Sequence, residues 1–202
     1  MDHPPHKRSF IVSVHGKKMK RCLKKEMKSQ RRRREKRRTG VHRDGRPVSY
    51  DEPHGIRWIL EELASRQDWK ILCEADKPIA LSKDGASITL EPGGQVELSG
   101  APHRTLSELN DEMCANREVL LQLAEGRDLI WTACGLTPIA AVEDIHWMPK
   151  GRYDVMRSYL PQRGALAEYM MKATCSVQCN YDYRDELDCA RKVRLCAGLA
   201  PL

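Results

Sequence analysis

Two stretches of the chain alternate polar and apolar residues with a period of two, the signature of half-buried strands. In Ser87 to Ser99, extended arms put Ile88, Leu90, Val96 and Leu98 on one face and Thr89, Glu91, Gln95, Glu97 and Ser99 on the other. Pro92 cannot continue the first arm, and Gly93 and Gly94 accept the positive φ of a tight reversal, so the segment reads as a hairpin. From Thr174 to Tyr183 the alternation returns, with Thr174, Ser176, Gln178, Asn180 and Asp182 opposite Cys175, Val177, Cys179 and Tyr181.

Elsewhere the spacing turns helical. Ile56, Ile59, Leu60 and Leu63 predict a helix whose first turn holds Pro53. Thr105 and Glu108 form a capping-box pattern ahead of Leu106, Leu109, Met113, Leu120 and Leu123, a core-facing stripe that ends before Gly126. Further helices are expected over Gly164 to Lys172 and Asp185 to Gly198, short strands within residues 70–82 and over Leu129 to Cys134, and a loop from His146 to Pro161. Turns are expected at His42 to Pro47 and at Asp84-Gly85. Helices mixed with hairpins, without a regular βαβ series, predict an α+β fold: an antiparallel sheet with flanking helices.

Charge divides the chain. Residues 1–50 hold 18 Lys or Arg against 4 acids, while residues 51–202 hold 17 against 24, so the net +7 belongs entirely to the N-terminal quarter. Fourteen of the twenty-two residues from Lys17 to Arg38 are basic, with little apolar to bury. We therefore expect residues 1–38 to be a basic, disordered lead and residues 39–202 to be one folded unit. The lead is also a candidate for nonspecific nucleic-acid contact through phosphates, since no aromatic residue is interleaved to stack on bases.

No apolar run approaches the roughly 20 residues needed to span a bilayer, and Phe10 to Val14 is too short for a secretory core, so the expectation is a cytoplasmic protein without a membrane segment. The 8 cysteines fit reduced thiols. Cys175 and Cys179 on one strand would lie roughly 13 Å apart and Cys189 and Cys196 on one helix roughly 10 Å, both beyond the ~7 Å disulfide limit. No C-x-x-C pair occurs to suggest zinc.

The candidate chemistry lies on the polar strand faces. Glu91 and Glu97 converge beside the hairpin turn, and paired carboxylates on a rigid sheet suit a hard cation such as magnesium, which brings nucleotide phosphates with it. The same alternation also describes an outer face that meets only water. Gln178 and Asn180 add amides that hydrogen-bond a nucleotide without adding charge. Between the two strands, Lys150, Arg152 and Arg157 are candidate ligands for carboxylate or phosphate, with Tyr153 beside them.

Three blocks carry a resemblance. Leu90-Glu-Pro-Gly-Gly-Gln-Val-Glu-Leu-Ser-Gly-Ala-Pro-His-Arg-Thr-Leu106, Met148-Pro-Lys-Gly-Arg-Tyr-Asp-Val-Met-Arg-Ser-Tyr-Leu-Pro161 and Thr174-Cys-Ser-Val-Gln-Cys-Asn-Tyr-Asp-Tyr183 resemble the plant and proteobacterial type of glutamate-cysteine ligase, from about Gly40 to Leu199. The resemblance implies a fold related to glutamine synthetase and the first step of glutathione synthesis. ATP phosphorylates the glutamate side-chain carboxylate, and the cysteine amine displaces phosphate to give γ-glutamylcysteine. It further implies that Glu91 and Glu97 hold Mg2+, that Gln178 and Asn180 support the nucleotide, and that Arg152 and Arg157, with Lys150 and Tyr153, grip the carboxylate or the acyl phosphate.

The chain departs from the family pattern in two places. Just before His42-Arg-Asp-Gly45 the family carries a Gly-x-Glu-x-Glu strand whose acids complete the metal site, and here Arg31 to Thr39 stands there with Glu35 alone. At the other end the helix matching the family's arginine-glycine-leucine segment has Cys196 at the arginine position, and the chain stops at Leu202. The reading is thus of an N-terminal ligase fragment, inactive alone, with a non-catalytic nucleic-acid-binding or regulatory protein as the alternative.

Overall fold

The computed structural model describes residues 9–13 and 32–199. Its centre is an antiparallel sheet of β1 (Ser9–Ser13), β2 (Arg32–Val41), β3 (Lys70–Glu74), β4 (Lys77–Lys83), β5 (Ala86–Leu90), β6 (Val96–Ser99), β7 (Ile130–Thr132) and β8 (Val177–Asp182). The strands lie in the order β1-β8-β2-β6-β5-β4-β3, with β7 pairing β2 off that path. Helices α1 (Ile56–Gln67), α2 (Leu106–Ala124), α3 (Gly151–Tyr159) and α4 (Glu186–Leu199) flank it, giving the α+β class that the mixed pattern predicts.

The apolar stripes find one another. Ile56, Ile59, Leu60 and Leu63 of α1, Leu120 and Leu123 of α2, and Ile88, Leu90, Val96 and Leu98 of the β5–β6 hairpin join a single core. Each such buried side chain contributes roughly 1.5–3 kcal/mol. The capping box of α2 forms in both directions between Thr105 and Glu108. Two hairpins turn through paired left-handed residues, Ala75 and Asp76 between β3 and β4, and Asp84 and Gly85 between β4 and β5.

Four local expectations are corrected. Order does not begin at Thr39: Arg32 to Arg38 belong to β2, which lies between β6 and β8 and so satisfies its backbone on both edges. Residues 17–31 of the basic run lie outside the described residues. The loop expected around Arg152 contains α3, a nine-residue helix between Pro149 and Pro161, whose Gly151 amide donates to the Glu74 carboxylate at 2.8 Å. Pro53 precedes the helix rather than occupying its first turn, because Gly55 is the N-cap; a Cβ there would lie 2.6 Å from the Ser49 carbonyl.

The helix expected over Gly164 to Lys172 forms only from residue 167, and it ends in a five-residue π-helical turn, Tyr169–Ala173. Its carbonyls are drawn outward by tertiary bonds. The Gln95 amide donates to Met171, Lys172 and Thr174 oxygens at 3.3, 2.9 and 2.9 Å, and the Thr137 amide to Ala173 at 2.7 Å. Among the described residues no helix is long and apolar enough to cross a membrane.

Candidate functional site

Register brings the two polar strand faces onto one surface. Glu97 of β6 is opposite Arg37 of β2, while Glu35 of β2 is opposite Ser99 on one side and Gln178 of β8 on the other. Residues directly opposite in a ladder point to the same face, so Thr89, Glu97, Arg37, Glu35 and Gln178 share a wall. Asn180 joins it by donating from Nδ2 to Glu35 Oε1 at 2.9 Å, and Gln178 Nε2 donates to Ser176 Oγ at 3.2 Å. The Asn180 Oδ1 is buried with no hydrogen-bond partner among the described residues.

Glu91 enters this wall through the hairpin turn. Its amide donates to the Gln95 carbonyl at 2.9 Å and its carbonyl accepts from Gly94 at 3.0 Å, with Gly94 at φ 83°. Gly93 is required for a different reason: a Cβ there would lie 2.2 Å from the Lys172 carbonyl oxygen. Gln95, wholly buried, accepts from the Gly93 amide at 2.9 Å while donating to the π-helical turn, so it locks the hairpin to the segment leading into β8. The Met148 amide donates to Pro92 at 3.0 Å and thereby sets the start of α3 against the same turn.

Charges then meet at close range. Arg37 Nε lies 2.6 Å from Glu97 Oε2 and its Nη2 lies 2.9 Å from Glu91 Oε2, so one guanidinium bridges both carboxylates. Arg152 Nη2 approaches the other Glu91 oxygen, Oε1, at 3.7 Å. Both glutamates are 7% exposed. Burial disfavours the Arg37 charge, but Glu91 and Glu97 outweigh it and hold its pKa above the ordinary value. Burial and then repulsion from Glu97 push Glu91 upward, against the pull of Arg37, Arg152 and Lys150. The two partners' shifts oppose each other, and the geometry, with both Glu91 oxygens facing arginine nitrogens, favours the ionised pair.

The basic residues of α3 separate. Lys150 is half-buried at the helix N-cap, its pKa lowered by burial and by Arg152. Arg152 reaches Glu91, but Arg157, five positions on, points elsewhere and sits over the Trp147 ring at 5.6 Å, sharing it with Lys172 at 5.3 Å. Tyr153 is buried in the core with its hydroxyl donating to the Leu90 carbonyl, and its pKa is pushed up to about 12 by burial and by Glu91. Of the residues singled out by sequence, the structure thus brings Glu91, Glu97, Gln178, Asn180, Lys150 and Arg152 to one region, turns Tyr153 inward and leaves Arg157 on tryptophan. A recess of about 100 Å³ lies elsewhere, lined by His42, Arg46, His54, Arg127 and Asp128 among others.

Sequence reasoning missed Arg37 as a member of this wall. Its signal was the two-residue spacing from Glu35 in a stretch running into Val41, which places both on one strand face. The fit to magnesium is also decided here. A hard dication takes several free oxygen ligands. These two carboxylates already share a guanidinium, Arg152 and Lys150 add positive charge, and among the described residues no group of three or more His, Cys, Asp or Glu is gathered that could hold a metal ion. As it stands, the donor set does not fit a resident magnesium ion.

Comparison with known proteins adds a lineage. The family described as glutamate-cysteine ligase family 2 matches residues 39–202, beginning two residues after Arg37. The chain is 42% identical over 157 residues to the chloroplastic glutamate-cysteine ligases of Brassica juncea and Arabidopsis thaliana, an alignment covering 78% of this chain and 30% of each relative. Glutamate-cysteine ligase A, chloroplastic, of Oryza sativa subsp. japonica is also 42% identical, with 31% of its length covered. The chain therefore spans about 30% of the length of the curated relatives it matches.

Proposed function

The chain belongs to glutamate-cysteine ligase family 2, and on that premise we propose that its polar sheet face and the start of α3 form one wall of an ATP-dependent ligase site. The reaction is activation of the glutamate side-chain carboxylate as an acyl phosphate, followed by attack of the cysteine amine to give γ-glutamylcysteine. Phosphoryl transfer is mostly positioning and neutralisation of charge. Arg152 and Lys150, next to Glu91, are the cations that would meet a phosphate or carboxylate approaching this wall. Gln178 and Asn180, on the same sheet face, would hydrogen-bond the nucleotide. The observation that carries the reading is the meeting of Glu91, Glu97, Gln178 and Asn180 on one face.

The same site argues that this polypeptide does not turn over by itself. Arg37 engages one oxygen of each glutamate and Arg152 approaches the second oxygen of Glu91, so positive charge already stands where a cation would have to sit. Purified chain mixed with ATP, glutamate and cysteine is expected to release no phosphate above the rate without amino acids; turnover dependent on both amino acids would overturn the inactivity. Residence in the cytoplasm stays part of the proposal, the relatives' printed names placing those proteins in the chloroplast.

The charge of residues 1–50 favours a second reading, a non-catalytic protein whose Lys17 to Arg38 segment contacts nucleic acid. RNA retention on filters that weakens steeply with salt would support it. Retention that is absent at low salt would remove it.

A further inference from the structure

Two carboxylates buried side by side repel each other, and the repulsion is relieved either by a proton on one of them or by a cation between them. We propose that Arg37 is the built-in occupant of the cation site between Glu91 and Glu97: the guanidinium takes the place of a divalent metal ion, so this chain binds no such ion there. The inference deepens the ligase reading, and its failure is separable from the failure of that reading because metal uptake is measured without nucleotide or amino acid.

The geometry is specific. Arg37 donates from Nε to Glu97 and pairs through Nη2 with Glu91, using the Oε2 atom of each. One guanidinium thereby neutralises both carboxylates. The position is fixed by the ladder and not by side-chain reach alone, since Arg37 and Glu97 are register partners. Arg37 is also only 17% exposed at its side chain, so the guanidinium is packed in the wall and is not a surface group swinging over it.

Charge makes the occupancy decisive. With Arg37 present, the two acids face three bases, Arg37, Arg152 and Lys150. Arg37→Glu reverses the balance, because the new carboxylate would stand beside Glu91 and Glu97, with Glu35 two residues along on the same face. Oxygen ligands for a hard cation would then outnumber the nearby bases.

The test is a titration with manganese, followed by the loss of the free-ion electron paramagnetic resonance signal, on the full chain, E97Q, R37E, R37Q and the double variant R37E/E97Q. Far-ultraviolet circular dichroism and a denaturation midpoint establish that each variant is folded. The unsubstituted chain is expected to take up no manganese with a Kd below about 1 mM, whereas R37E binds one equivalent at least tenfold tighter and R37E/E97Q loses that gain. R37Q, which removes the guanidinium without adding a charge, is expected to lie between them and keeps the test decisive if R37E fails to fold. Uptake by the unsubstituted chain that E97Q abolishes would overturn the proposal, as would folded R37E or R37Q with no gain over it.

Discussion

Arg37 and Glu97 face each other across β2 and β6, and the 2.6 Å contact between Nε and Oε2 makes a basic strand the neighbour of an acidic hairpin. The pairing explains how the Arg37 charge can sit inside a sheet. It also ties stability to the wall that carries the candidate chemistry. Removing one partner of a buried ion pair leaves the other charge uncompensated, so Arg37→Ala is expected to destabilise the fold by about 3 kcal/mol at neutral pH, read from urea unfolding. A loss below about 1 kcal/mol would show the pair to be dispensable.

The pH dependence of that variant carries a definite sign. Burial and Glu97 already raise Glu91, and losing Arg37 removes a group that lowers it. A carboxyl whose folded pKa lies above its unfolded value stabilises the native state most when protonated, and that stability is lost as pH rises through the folded pKa. The deficit of R37A relative to the parent chain is therefore expected to shrink as pH falls from 7 to 5. A deficit that grows on acidification would contradict the burial of an unpaired Glu91.

Gln95 is the hinge pin between the hairpin and the approach to β8. Gln95→Leu would leave the Gly93 amide and the Met171, Lys172 and Thr174 carbonyls without their partner. Unpaired buried polar groups cost about 1–3 kcal/mol each, and the expected loss is at least 2 kcal/mol. Hydrogen exchange should rise across the Tyr169–Ala173 turn and β8, while α1 stays protected; uniform loosening would mean that Gln95 is not the specific tie.

His42 supplies a second pH signature away from the wall. Burial lowers its pKa, but the contacts to Glu52 at 3.0 Å and to Asp128 at 3.2 Å outweigh this and raise it. Its stabilisation is then fully present below the unfolded value of about 6.5 and is lost as pH rises through the folded value. The denaturation midpoint is expected to fall between pH 6 and pH 8, and His42→Gln to remove most of that slope. An unchanged slope in H42Q would assign the titration to another group.

Much of this architecture was legible in the residues, for a physical reason. Period-two alternation in the Glu91 hairpin and the Asn180 strand reports burial on one side, and burial on one side is what the sheet enforces. The stripe and capping box of α2 are equally local in origin. What escaped was set by distant partners. Arg32 to Arg38 pattern poorly as a strand until Glu91, Glu97 and the backbones of β6 and β8 are supplied. The end of the Tyr169–Ala173 turn is held by Gln95, far away in sequence, which donates to the Met171 and Lys172 carbonyls. Tyr153 stood among basic candidates in sequence, yet its ring faces the core and its hydroxyl bonds Leu90.

The most direct test of the central claim, that Arg37 fills the cation place between Glu91 and Glu97, is the thermal midpoint of the unsubstituted chain with and without about 10 mM magnesium chloride at matched ionic strength. A ligand that binds only the folded state must raise the midpoint by mass action. No shift is expected for this chain, and a rise is expected for R37E. A magnesium-dependent rise in the unsubstituted chain that Glu97→Gln abolishes would contradict the claim.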